Sequence, residues 1–287
     1  MDTFLRNVDR IMRQDPGGRG LLSALPENPV FELADELRTF RKVFLLTGFP
    51  VRLTDGKAVC ETDGPLGIVD IAAALSRLQI PYLILSDKES SGILRAGMRS
   101  RDLPDAVHLL CHTDPAGDIL KLLAAHAPSH VLTLERPGKA ADGHYHNMRG
   151  AVIDDLIADT SMFLSLARKN GIRSVSVGDG GNESGMGALR GLIHSSVPLG
   201  SLICADDTAD IPLVSGVSNW WGDGICAVLS KETGLDLLPS EEELGKTLEA
   251  VVRAGSVDGV TKEARNTVDG LPEEVHRKII SDLRALL

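Results

Sequence analysis

Six short apolar runs recur along the chain, and each breaks off into polar or glycine-bearing residues. They are V-F-L-L (43–46) before Thr47-Gly48, Y-L-I-L (82–85) before Ser86-Asp87, and V-H-L-L (107–110) before Cys111-His112. V-L-T-L (131–134) follows before Glu135-Arg136, then V-S-V (175–177) before Gly178-Asp179, and L-I-C-A (202–205) before Asp206-Asp207. Runs this short, apolar at consecutive positions, fit strands buried on both faces. Between most of them lie stretches with helical spacing, at 68–78, 116–125 and 153–167. The alternation predicts parallel pairing through right-handed crossovers, hence an α/β fold with an open, mostly parallel (Rossmann-like) sheet covered by helices on both faces.

Helical spacing also marks the N-terminus, at Phe4, Leu5, Val8, Ile11 and Met12, and the C-terminal stretches 226–230, 241–252 and 273–286. Ser240 ahead of three glutamates supplies an N-cap and a first-turn acid cluster. The expectation is a single α/β domain over 1–287, with N-terminal helices in 1–40 and C-terminal helices in 235–287 packed on it. Loop 137–146, rich in Gly, Ala and Asp, is the segment best suited to mobility. Trp220 and Trp221 are expected in the core.

Ligands of open α/β sheets bind beyond the carboxyl ends of strands, where strand order reverses. The run ends therefore form a shortlist: Thr47, Asp87, Glu135, Arg136, Asp179, Glu183, Asp206 and Asp207. Any one of them alone is more commonly a cap or turn residue. The densest end is G-D-G-G-N-E-S-G-M-G (178–187), whose glycines let the backbone turn sharply and approach a ligand. Glu183 stands where the third glycine of G-x-G-x-x-G belongs, and no G-K-[ST] follows, so no nucleotide cofactor is expected. Asp179 and Glu183 suit a metal, a substrate ammonium or a base role. A second acidic turn, C-E-T-D-G-P-L-G (60–67), sets Glu61 and Asp63 before a helix that Pro65 can open. Asp179, Glu183 and Asp63 are the metal-ligand candidates, and Mg or Mn is the cation such carboxylates suit.

Composition narrows the partners. A formal charge of −10 with no basic run, and only 3% aromatic residues, argue against nucleic acid, which needs clustered Lys and Arg or stacking rings. Four widely spaced cysteines form no C-x-x-C pair, so neither a disulfide framework nor a thiolate zinc site is expected, and a reducing compartment fits. No secretory h-region or apolar run of about 20 residues occurs, which predicts a cytoplasmic protein without a membrane partner. The oligomeric state is open between monomer and homodimer. His144 and His146 could ligate a metal from their loop but read as solvated histidines, and neither G-x-S-x-G nor H-E-x-x-H occurs.

The two acidic turns together resemble the haloacid dehalogenase superfamily, whose signature is D-x-D-G-T-L early and G-D-G-x-N-D later, both holding magnesium. In the earlier turn Glu61 replaces the nucleophilic aspartate and Pro65 the threonine, which counts against in-line attack. A longer set covers nearly the whole chain from Gly18 to about Asp258. It comprises G-R-G-L (18–21), L-T-G-F (46–49), E-T-D-G-P-L-G (61–67), L-E-R-P-G (134–138), Y-H-N-M-R-G (145–150), the glycine-rich turn, and G-V-S-N-W-W-G (216–222). In this order and spacing the chain resembles the D-glutamate cyclase-like family. The resemblance implies a hydro-lyase that converts D-glutamate, or a related acidic amino acid, to 5-oxo-D-proline with loss of water. A magnesium-dependent phosphohydrolase relative and a non-catalytic metabolite-binding module are the alternatives.

Lactam closure requires a neutral amine, a γ-carboxylate able to lose an oxygen, and a folded substrate. An ammonium of pKa about 10 needs a carboxylate base, for which Asp179 or Glu183 is the first choice. Glu61 and Asp63 complete the catalytic set, and these four carboxylates could carry a charge-neutralising metal. The α-carboxylate wants a fork of donors, which Arg149 or Arg136 would supply. Asn147, Asn182 and Asn219 could orient the new amide, with Thr47 as a further substrate-binding residue. All of this requires the two acidic turns to meet over one rim of the sheet.

Overall fold

The computed structural model describes residues 1–287 throughout. Helices α1 (Asp2–Met12), α2 (Leu21–Ala24) and α3 (Val30–Leu37) precede strand β1 (Val43–Thr47). A small antiparallel hairpin, β2 (Pro50–Arg52) and β3 (Ala58–Cys60), leads into α4 (Pro65–Arg77). Then come β4 (Tyr82–Ser86), α5 (Lys88–Ser100), β5 (Val107–Leu109), α6 (Pro115–His126), β6 (His130–Leu134), α7 (Phe163–Lys169) and β7 (Arg173–Gly178). Helices α8 (Arg190–Ser196) and α9 (Gly200–Ile203) lead to β8 (Ile211–Val214) and α10 (Asn219–Thr233). The chain closes with α11 (Glu241–Arg253), the hairpin β9 (Thr267–Val268) and β10 (Leu271–Pro272), and α12 (Glu273–Arg284).

Six strands make one parallel sheet in the order β5-β4-β1-β6-β7-β8. Order runs outward from β1 in one direction and then, from β6, in the other. A crevice therefore opens between the carboxyl ends of β1 and β6. Register places Thr47 opposite Leu134 and Leu134 opposite Val177. The next residues along, Gly48 and Glu135 just past their strands and Gly178 at the end of β7, consequently come side by side. Val43 and Leu45 belong to the large core under α4, α10 and α12, whereas Phe44 and Leu46 belong to the smaller core under α6 and α7. That split explains why the runs are apolar at every position.

Five of the six predicted strands form. The sixth expectation, at 202–205, is corrected: Leu202 and Ile203 end α9, and the strand is Ile211–Val214 instead. Pro212 masks it in the sequence, because a proline cannot donate to a ladder, and β8 tolerates one only as the sheet's edge. The expected helix over 153–167 shortens to α7, since Ile153, Leu156 and Ile157 pack instead against Phe49 and Tyr145 in a cluster of their own. Loop 137–153 is bridged at Lys139 to Tyr145, at His146 to Val152, and at Ala140 to Ala205. Trp220 and Trp221 are buried, donating to His276 Nδ1 and the Val214 carbonyl at 3.0 Å each. The Ser240–Glu243 capping box forms as expected. No helix is long and apolar enough to cross a membrane.

Candidate active site

The first acidic turn is held by an exchange of caps between two helices. Asp63 accepts from Ser218 N at 3.0 Å and Asn219 N at 2.8 Å, capping α10. Asn219 Oδ1 in turn accepts from Gly64 N and Gly67 N, both at 2.8 Å, capping α4. The helices can approach so closely because glycines face each other; a Cβ on Gly222 would overlap the Gly67 backbone. Gly64, at φ 97°, brings its backbone against the end of β6, where an added Cβ would stand 3.0 Å from that of Glu135.

The second acidic turn wraps around its own glutamate. Glu183 accepts from the amides of Asp179, Gly180 and Gly181 at 3.3, 2.9 and 2.7 Å. A Cβ on Gly178 would overlap that carboxylate, which is why the turn begins with glycine. Three of its roughly four acceptor sites are thus committed to backbone, so Glu183 shapes the turn more than it offers a base. Asp179 is freer: Oδ1 pairs with Arg19, and the buried Oδ2 has no partner.

Between the turns lies Glu135, at the end of β6. Its backbone is left-handed, at φ 47°, an unfavourable conformation for a residue with a side chain. Its amide donates to Val177 O, its carbonyl accepts from Gly48 N, and Oε2 accepts from Ser218 Oγ at 2.5 Å. Asp63, Glu135 and Asp179 each place one carboxylate oxygen so that all three lie within 4.8 Å of one another.

In front of this triad opens a cavity of about 610 Å³. Its floor carries Glu61, Glu135, Glu183, Asp269 and Arg19, and its walls include Phe49, Val51, Leu53, Val152, Ile153 and Val260. Arg19 bridges Asp179 and, at 2.8 Å, Asp269. Asp269 sits on the β9–β10 turn, where Asp269-Gly270 at φ 55° and 75° forms a two-residue hairpin. One guanidinium thus faces six carboxylates. Burial, reinforced by neighbouring acids, pushes Glu61 and Glu135 well above the usual carboxylate range. Asp179 also rises through burial, against the pull of Arg19, and Asp63 rises to about 8, by burial and then by Asp269. A site that holds protons this tightly is one that would exchange them for a cation.

The structure brings Glu61, Asp63, Asp179 and Glu183 together, as the sequence requires. Asn182, Asn147 and Arg149 line the cavity. Asn182 Nδ2 donates to His146 O while Oδ1 is buried without a partner, and Asn147 Oδ1 is occupied by the amides of Arg149 and Ala151. Arg136 lies elsewhere. It is wholly buried, paired with Asp87 and donating to Ala158 O, so its guanidinium has no reach to a ligand. Asn219 is spent on its cap, and Thr47 is buried with an unpartnered hydroxyl beside Gly64 rather than on the cavity wall. His146 is buried and paired with Asp142, not solvated, while His144 pairs with Asp154 at the surface. Arg19 and Asp269 were not among the candidates, and Glu135 appeared only as a strand end. The left-handed G-R-G loop and the D-G hairpin signal were the available cues.

A family model described as D-glutamate cyclase-like, C-terminal, matches residues 8–284. The mitochondrial D-glutamate cyclase of Homo sapiens is 28% identical over 315 residues, taking in 97% of this chain and 51% of that protein. The chain thus spans about half the length of the curated relative it matches.

Proposed function

This chain belongs to the D-glutamate cyclase-like family, and from that premise we propose that it is a hydro-lyase closing D-glutamate to 5-oxo-D-proline with release of water. The observation that carries the reading is Glu135, which both lines the cavity and belongs to the buried triad. A substrate ammonium is drawn to the acidic floor, and a carboxylate whose proton affinity has been raised toward that of the amine is the more effective base. Glu135 takes the ammonium proton, and the freed amine attacks the γ-carbon. The departing oxygen takes two protons, one from Glu61 and the one held by Glu135, and leaves as water, while the second proton lost by the attacking nitrogen returns to Glu61. Arg149, whose guanidinium has no partner, receives the α-carboxylate, and Asn182 Oδ1 accepts from the nitrogen that becomes the lactam N–H.

The oxygen-only triad and the orphaned Asp179 Oδ2 fit a hard divalent cation such as Mg or Mn, held by Asp63, Glu135 and Asp179. Bound there, it would supply Lewis-acid neutralisation of carboxylate charge. The test is chiral chromatography of D- and L-glutamate incubated separately with the purified protein and Mg or Mn. Formation of 5-oxoproline from the D enantiomer alone is expected; unchanged D-glutamate would refute the reading.

A further inference from the structure

The cavity exceeds what free glutamate would use in two ways. It is too large: about ten non-hydrogen atoms, at no more than the roughly 30 Å³ a water takes in the liquid, fill at most about 300 Å³ of its 610 Å³. Much of its wall is apolar, through Phe49, Val51, Leu53, Val152, Ile153 and Val260, and free glutamate has little to set against it. Of the four cations on the wall, Arg19 is held by Asp179 and Asp269 and Arg52 by Asp155, whereas Lys262 donates only to the neutral Arg52 carbonyl and the Arg149 side chain has no partner.

We infer that the cavity accepts γ-D-glutamyl amides whose amine carries an apolar body, an inference that rests on the cyclisation proposed above. Such a substrate keeps the ammonium for the floor and one α-carboxylate for Arg149. Its γ-carbonyl is uncharged, and its substituent covers the apolar wall. A cation on the triad would lessen the repulsion of a second carboxylate but would leave the surplus volume and the apolar wall without a role. The bond changes are those of transamidation within one molecule. The α-ammonium gives one proton to Glu135, its nitrogen bonds to the γ-carbon and loses a second proton to Glu61, the γ-carbon to nitrogen bond breaks, and the leaving nitrogen gains two protons, the one Glu61 held at the start and the one on Glu135. The products are 5-oxo-D-proline and the free amine, with no water consumed or released.

The experiment compares D-glutamate with the γ-D-glutamyl methyl-, propyl- and pentylamides at pH 7, reading 5-oxo-D-proline by chiral chromatography. The expected kcat/KM is at least about tenfold higher for the pentylamide than for D-glutamate, rising along the series by up to about fourfold per methylene buried. Turnover of D-glutamate with inert amides would overturn this inference and leave the proposed function standing. Turnover of amides but not of D-glutamate would do the reverse. A rate independent of chain length would overturn the apolar-wall assignment, and no product from any of the compounds would overturn both.

Discussion

Arg19 shows how much one residue can carry when charge is concentrated around it. Its guanidinium is the single countercharge to five buried carboxylates and the half-buried Asp269, and it ties the glycine-rich turn to the β9–β10 turn. Arg19→Met leaves Asp179 buried and uncompensated, a change that typically costs about 3 kcal/mol. The loss should be larger at pH 8 than at pH 5, because protonation neutralises the same carboxylates at low pH. Thermal unfolding at the two pH values checks this, and equal losses would contradict it. Residue type was legible where chemistry is local. Asp179 stood out because an acid among glycines at a strand end has few bland uses, and it does hold an orphaned oxygen in the site. Glu183 stood out equally, yet its oxygens serve the amides of its own turn, a distinction that only the folded backbone makes. Arg19 and Asp269 come from opposite ends of the chain, and no periodicity links them.

At the scale of elements, α4 and α10 set the geometry of the first acidic turn. They cross at Gly67 and Gly222 and exchange caps through Asp63 and Asn219. Asp and Asn are capping residue types that ordinarily serve the helix next to them in the chain, and a spatial exchange leaves no mark in sequence. The same pair of helices buries Asp70 and Asp223, with Arg101 paired to Asp70. Burial raises Asp70 to about 6 despite Arg101, and burial plus Asp70 raises Asp223 well above its usual range. Carboxyls raised in the folded state contribute stability that is full below the unfolded pKa of about 4 and is lost as pH rises through the folded one. Asp223→Asn, which removes one of these titrations, should therefore flatten the decline in urea midpoint between pH 5 and pH 8. A slope identical to that of the parent protein would rule this out. Strand β8 escaped detection for a comparable reason, since its proline is acceptable only at an edge position that topology decides.

The whole molecule makes its site at the reversal of strand order, and that much followed from the alternation of short apolar runs with helical stretches. What did not follow is the far wall, built from loop 147–153 and the segment around Gly259, which lack strand or helix periodicity, and from the hairpin after β1, whose alternation of Phe49, Val51 and Leu53 before Asp55-Gly56 is short. Because the triad gathers charge from the ends of two strands and the start of one helix, cation binding should stabilise the entire fold: Mg or Mn at about 100 times its Kd adds about 2.7 kcal/mol. A melting shift on adding the ion, lost in Asp179→Asn, is expected; no shift in the parent protein would remove the cation from the account. The central claim is that Glu135, held left-handed where the strand order reverses, is the base that frees the substrate amine. Initial rates of 5-oxo-D-proline formation from D-glutamate by the parent protein and by Glu135→Gln test it most directly. The variant should fold and be slower by about 10²–10⁴-fold, the usual worth of a positioned base. A folded Glu135→Gln protein that matches the parent rate would contradict it.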